Sequence, residues 1–275
     1  MRKHFLGSFC ALFTLTVCVM SLSFASVKSD STAIKSTTAI AKSTETEESS
    51  ARSLFNNYIE DIYSNANLAS SGLDTTVFEK AITGYYNLKI ANLLPAESTV
   101  VTIVDFSKPS TTKRMWIVDL AKKKLLLNTW VAHGQGSGDN VANAFSNNPE
   151  SHQSSIGFYI TNEVYDGKHG RSLRLDGMDA GFNDQARSRD IVVHGAEYVN
   201  QNTIDQMGRL GRSFGCPAVS TEVIGQVIED IKNKNLLFIN ANESDYKSKY
   251  LDEDQAAKFA FGDSSYNLVK DMLGN

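Results

Sequence analysis

The sequence predicts a mainly β (α+β) protein, a sandwich- or barrel-like body behind a short helical lead-in. Three observations predict it. From Thr99 onward, short runs of Val, Ile, Leu and aromatic residues alternate with clusters of Asn, Gly, Asp and Ser. One strong helix pattern interrupts that series, and no repeat of fixed period underlies it. Before Thr99, apolar residues recur instead at four-residue spacing. With 275 residues, 41% of them hydrophobic, the chain can bury one sizeable core or two small ones.

The amino terminus predicts export. Arg2 and Lys3 precede an uncharged stretch from Phe5 to Val27 whose core is apolar, and Ser23-Phe24-Ala25 offers small residues for a cut after Ala25. This is the three-part pattern of a secretory signal peptide, assigned to residues 1–25. The apolar part is short for a membrane span, and neither Cys10 nor Cys18 follows a small residue as a lipid-bearing cysteine needs. Cleavage removes Cys10 and Cys18 and leaves Cys216 as the only thiol. Residues 26–50 are almost half Ser and Thr, with no aromatic, Gly or Pro, and cannot order themselves by burial; they read as a tether.

Residues 51–95 form the helical lead-in. Leu54, Tyr58 and Ile62, with Phe55, Ile59 and Tyr63, make one helix face ending near Asn65. Asp74 caps a second helix carrying Val77, Phe78, Ala81, Ile82 and Tyr85, closed by Pro95. Residues 99–245 form the main body. Its strand-type runs are Val100–Val104, Met115–Val118, Leu125–Ala132, Gly157–Ile160, Leu173–Leu175, Ile191–Val193 and Leu236–Ile239. Ser220 or Thr221 caps the one interrupting helix, whose stripe is Val223, Ile224, Val227, Ile228 and Ile231. Gly134-Gln135-Gly136-Ser137-Gly138 reads as a turn, because no helix follows to form a phosphate loop. Residues 246–275 read as a tail.

Composition excludes several classes. Lys and Arg number 27 against 31 Asp and Glu, a net charge of −4, which gives no electrostatic basis for binding nucleic acid. Three Cys make neither a disulfide scaffold nor a Cys-rich zinc module. No His-Glu-x-x-His or Cys-x-x-Cys is present, so no metal is expected. The acidic mature chain has no attraction to anionic lipid, and no stable membrane insertion is expected after cleavage.

The chemistry concentrates around Cys216. The run Ile191-Val192-Val193 delivers His194-Gly195, and later comes Ser213-Phe214-Gly215-Cys216-Pro217-Ala218. A thiol nucleophile needs a base within reach and backbone N–H groups aimed at an oxyanion. His194 at a strand end supplies the base, Gly215 allows close backbone approach, and the loop ahead of the helix offers N–H groups.

His-Gly, a loop and Ser-x-Gly-Cys resemble the catalytic motif of the L,D-transpeptidase (YkuD-type) family. The resemblance spans roughly Thr99 to Ala241 and is stronger from His133 to Val219. Further pieces are His133-Gly134, Ser155-Ile156-Gly157-Phe158-Tyr159, Gly167-Lys168-His169-Gly170 and Leu173-Arg174-Leu175-Asp176-Gly177. The resemblance implies that Cys216 attacks a carbonyl of a peptidoglycan stem peptide, releases D-Ala and forms a thioester that an amine or water resolves. It implies that His194 shuttles the proton and that the Gly195 carbonyl orients its imidazole. Gly215 and Cys216 N–H groups would hold the oxyanion, and Ser213, Tyr159, Arg212 and His133 would line the substrate site. His152 and His169 would lie around the cleft. The resemblance also implies a periplasmic or wall-facing place, no cofactor, and covalent inhibition by a carbapenem. Many members carry an Arg two residues after the Cys; here Ala218 and Val219 follow Pro217, leaving Arg212 or Arg174 as substitutes.

Two rivals differ in kind. A sortase-like transpeptidase also places His before Cys but needs an Arg soon after, and the next basic residue here is Lys232. A non-catalytic wall-binding domain of the same fold would have no use for an intact His-Gly and Ser-x-Gly-Cys.

Overall fold

The computed structural model describes residues 50–262. The expected export signal, the tether up to residue 49 and the tail from residue 263 lie outside the described residues.

Residues 50–65 form helix α1. Its buried face is Phe55, Ile59 and Ile62, flanked by Ala51 and Ala66, whereas Leu54 is turned out and 41% exposed. Helix α2 (Thr75–Ile90) begins as expected, with the Asp74 carboxylate accepting the Thr76 N–H at 2.8 Å. It ends before Pro95: Leu93 N–H returns to the Leu88 carbonyl and Asn92 takes the left-handed conformation, φ 54°.

The body is one sheet of eight strands: β1 (Val100–Asp105), β2 (Met115–Asp119), β3 (Lys124–Thr129), β4 (Gly157–Gly167), β5 (Gly170–Gly177), β6 (Val192–Ala196), β7 (Ala218–Ser220) and β8 (Leu236–Asn240). Their order is β3-β2-β1-β8-β4-β5-β6-β7, parallel at β1/β8 and β6/β7 and antiparallel elsewhere. Past β3 the chain reaches the opposite edge. Ala132 N–H donates to the Ala218 carbonyl at 2.8 Å, and the Ala132 carbonyl accepts the Ala218 N–H at 3.4 Å. The sheet is therefore a nearly closed barrel, in agreement with the barrel-like class the sequence predicts.

Both faces of the central strands are buried, which is why they read as continuous apolar runs. Val101 and Ile103 of β1, Trp116 and Val118 of β2, Phe158 and Ile160 of β4, and Leu236 and Phe238 of β8 pack with α1 and α2. The alternate residues Val104, Met115, Ile117, Tyr159, Leu237 and Ile239 form a second core with Val227, Ile228 and Ile231 of helix α4 (Ile224–Ile231).

Three elements escaped the sequence reading: β7, helix α3 (Gln201–Met207) and helix α5 (Glu253–Phe261). The last occupies part of the expected tail and packs Ala256, Ala257 and Ala260 into the first core. The cap of α4 also differs. Ser220 belongs to β7, and α4 starts after Val223 with no side-chain cap.

Helix α2 lies close to the sheet at Gly84. A Cβ there would stand 2.0 Å from Cε1 of Phe158, whose ring is fully buried and stacked on Phe238 at 4.5 Å. Gly84→Ala gains about 1 kcal/mol of helix propensity but overpacks an immobile ring at a cost of about 1–3 kcal/mol. We expect a net loss, read as a melting temperature lower by roughly 2–6 °C.

Candidate active site

Strands β6 and β7 place the two candidate residues on neighbouring segments. They run parallel with His194 opposite Ala218, so Cys216, two residues before Ala218, lies beside Val192 at the start of β6. The Val192 N–H points at Cys216 Sγ at 3.4 Å, and the thiol in turn reaches the Asp190 carbonyl at 3.6 Å.

His194 is 3% exposed. Its Nδ1 stands 2.9 Å from the Gly195 carbonyl. A carbonyl only accepts, so Nδ1 carries the proton and Nε2 is left as the basic atom. Burial pushes the imidazole below its ordinary 6.5; the hydrogen bond to Gly195 opposes this and the neighbouring His169 reinforces it. The Cys216 thiol is half-buried, and burial pushes it up; the Val192 N–H and the Arg189 guanidinium pull it down. Both directions favour a neutral thiol beside a neutral imidazole. The arrangement suits proton transfer at the moment of attack better than a standing thiolate–imidazolium pair.

The Cys216 loop is held by a chain of hydroxyls. Ser213 Oγ donates to the Cys216 carbonyl at 2.7 Å and accepts the Gly215 N–H at 3.0 Å. Ser154 Oγ donates to the Gly215 carbonyl at 3.1 Å and accepts the Gly134 N–H at 3.0 Å. Gly215 adopts φ +128°, and a Cβ there would stand 2.8 Å from the Gln153 carbonyl, so only glycine fits. Of the two N–H groups expected to face an oxyanion, that of Gly215 is taken by Ser213. The Cys216 N–H has no acceptor among the described residues.

Several residues expected at the substrate surface are buried or bound within the protein. Tyr159 is fully buried in the second core and donates its hydroxyl to the Ser155 carbonyl at 3.0 Å. His133 is fully buried too; its Nδ1 lies 2.7 Å from Arg114 Nη2, and burial beside that cation lowers it to about 4. Arg212 binds the Gly138 carbonyl at 2.7 Å and Asp139 at 3.4 Å. Arg174 pairs with Asp190 and Glu163. Ser213 is buried and closes the loop. His152 does line the surface, stacked at 4.4 Å on Phe214, which is 68% exposed.

The family model for the L,D-transpeptidase catalytic domain matches residues 69–240, from just before α2 to the end of β8. The chain belongs to this family. No curated protein sequence matches it. Among solved structures, it is similar to an L,D-transpeptidase from Mycobacterium smegmatis (11% identity, 52% of this chain and 59% of that one, TM-score 0.33). It is similar also to L,D-transpeptidase 1 of Mycobacterium tuberculosis (10%, 52% and 62%, TM-score 0.30) and to the helical cell shape determining protein Pgp2 from Campylobacter jejuni (12%, 64% and 62%, TM-score 0.37). The chain thus covers less than two thirds of the length of each of these proteins.

In this L,D-transpeptidase domain the cation beside the thiol is Arg189, which the sequence reading missed. Its guanidinium donates to the carbonyls of Ser146 (2.6 Å) and Gln153 (2.7 Å) and to the hydroxyls of Ser155 (3.0 Å) and Ser151 (3.2 Å). A Cβ on Gly215 would lie 3.3 Å from its Nη2. Arg189 therefore ties the segment 146–155 to the Cys216 loop while lowering the thiol. Arg189→Met removes that cation, and the pH midpoint for alkylation of Cys216 should rise. An unchanged midpoint would show that Arg189 serves the fold alone.

Proposed function

We propose that the protein is an exported cysteine L,D-transpeptidase that cuts peptidoglycan stem peptides through a Cys216 thioester. The observation that carries this reading is the register of β6 on β7, which sets His194 opposite Ala218, two residues after Cys216, with His194 Nδ1 bound to the Gly195 carbonyl and Nε2 left basic. Family membership supports the substrate class. Cys216 Sγ attacks the carbonyl joining the L-centre of a diamino acid to the terminal D-Ala, and its proton passes to His194 Nε2. The Cys216 N–H stabilises the oxyanion. The C–N bond breaks as His194 returns the proton to the departing D-Ala amine, leaving the thioester. An acceptor amine, or water, then attacks the thioester and gives its proton to His194, and Cys216 leaves as the thiol after taking it back.

The export pattern at residues 1–25 supports action outside the cytoplasmic membrane, and among the described residues no helix is long and apolar enough to cross one. A β-lactam is an acyl donor of the same kind, so a carbapenem should acylate the same sulfur. Intact-mass measurement on the exported protein checks these points together. We expect a chain beginning at Ser26 that gains one acyl group on Cys216 with a stem tetrapeptide, and one carbapenem mass on the same residue. An adduct elsewhere, or none with either donor, would overturn the reading.

A further inference from the structure

The proposed base is covered by a second imidazole. His169 sits at the tip of the hairpin that joins β4 to β5, between Gly167 and Gly170. Its ring stacks on that of His194 with centroids 4.4 Å apart and planes at 24°. His169 is itself exposed, whereas His194 beneath it is buried. Gly170, at φ +72°, supplies the left-handed residue that turns the tip. The hairpin base is fixed on the same strand, because Ser172 of β5 lies opposite His194 of β6. Arg171 adds a 2.5 Å ion pair to Glu229 of α4.

The bond from His194 Nδ1 to the Gly195 carbonyl holds one edge of the ring and leaves the ring free to tilt about it. A flat group against the ring face removes that tilt. Proton transfer to Nε2 depends on this second restraint, since a misplacement of about 1 Å costs about a hundredfold in rate.

Resting on the reaction proposed above, we infer that His169 is a positioning residue which holds the His194 imidazole in line with the Cys216 sulfur. The neighbouring His169 also disfavours charge on His194, so the pair favours the neutral base. The other charged groups at this corner are Lys168, exposed beside His169, Arg171 with Glu229, Arg174 with Asp190 and Glu163, and Arg189 beside the thiol.

Two substitutions in the full chain test this, His169→Phe and His169→Ala. Phe keeps a flat ring without charge; Ala keeps neither, and at an exposed tip both should fold. The readouts are the rate of carbapenem acylation across pH and the NMR shifts and titration of the His194 ring. For Phe we expect a plateau rate within about threefold of the parent, reached at higher pH, because the neighbour that disfavours charge on His194 is gone. For Ala we expect a plateau ten- to a hundredfold lower and loss of the ring-current shift on His194. A parent-like plateau in Ala, or Phe falling as far as Ala, would overturn the inference. If the parent itself forms no adduct, the transpeptidase reading fails. The NMR shifts then decide the stack on their own: a His194 signal unmoved by Ala means that there is no stack to do the positioning.

Discussion

Cys216→Ala should form no acyl adduct and no stem product while melting within a few degrees of the parent protein. The two halves of this expectation have separate causes. The side chain contributes little to the fold: it is half-buried, and its polar links are two long sulfur contacts, to the Val192 N–H at 3.4 Å and the Asp190 carbonyl at 3.6 Å. Losing them costs about 1 kcal/mol. The chemistry has no substitute. Among the described residues Cys216 is the only free cysteine. The hydroxyls bonded to this loop, Ser213 and Ser154, donate to the carbonyls of Cys216 and Gly215. Intact-mass and thermal-melting measurements on one sample read both halves. Product from the variant would rule out a thioester route, and a large loss of melting temperature would mean that the sulfur also supports the loop.

How far the sequence reveals this arrangement depends on what each part buries. Of the seven strands read from it, β1, β2, β6, β8 and the first half of β4 bury both faces and are nearly uniform in apolar character, whereas β3 and β5 are buried only in part. Strand β7 is three residues, Ala-Val-Ser, too short for any period to show. Helix α3 buries none of its residues, and α5 buries only three alanines in a polar sequence, so neither carries an amphipathic signal. Tyr159 illustrates the opposite error. It follows Phe158 in an apolar run beside a family-like motif, yet strand alternation sends Phe158 toward the helices and Tyr159 into the second core. The candidate residues Cys216 and His194 are legible because Gly215 and Gly195, their neighbours in sequence, are also their neighbours in space. Arg189 is not, because its partners lie 34 to 43 residues earlier and two of them are backbone carbonyls. Only the closure of the barrel brings that segment to the cysteine.

His194→Gln should lower the acylation rate by about two to four orders of magnitude, the usual worth of a general base. Gln is close to His in size and keeps an N–H to offer the Gly195 carbonyl, so the loss reports chemistry more than packing. The pH profile gives a second reading. Burial holds the imidazole below 6.5, so the neutral base persists in the folded protein at pH values where an ordinary histidine has begun to charge. The acid limb of the parent should therefore fall below pH 6.5, and the residual rate of the variant should lack that limb. Stability must follow the same direction. The unfolded chain binds this proton more tightly than the folded one, so the contribution of neutral His194 is complete above about pH 6.5. It is lost as pH falls through the lower folded value. The Gln variant has no such proton to bind, and its stability should decline less steeply over that range. A variant that keeps the acid limb would assign it to another group, and one that keeps the rate would assign the proton transfer elsewhere.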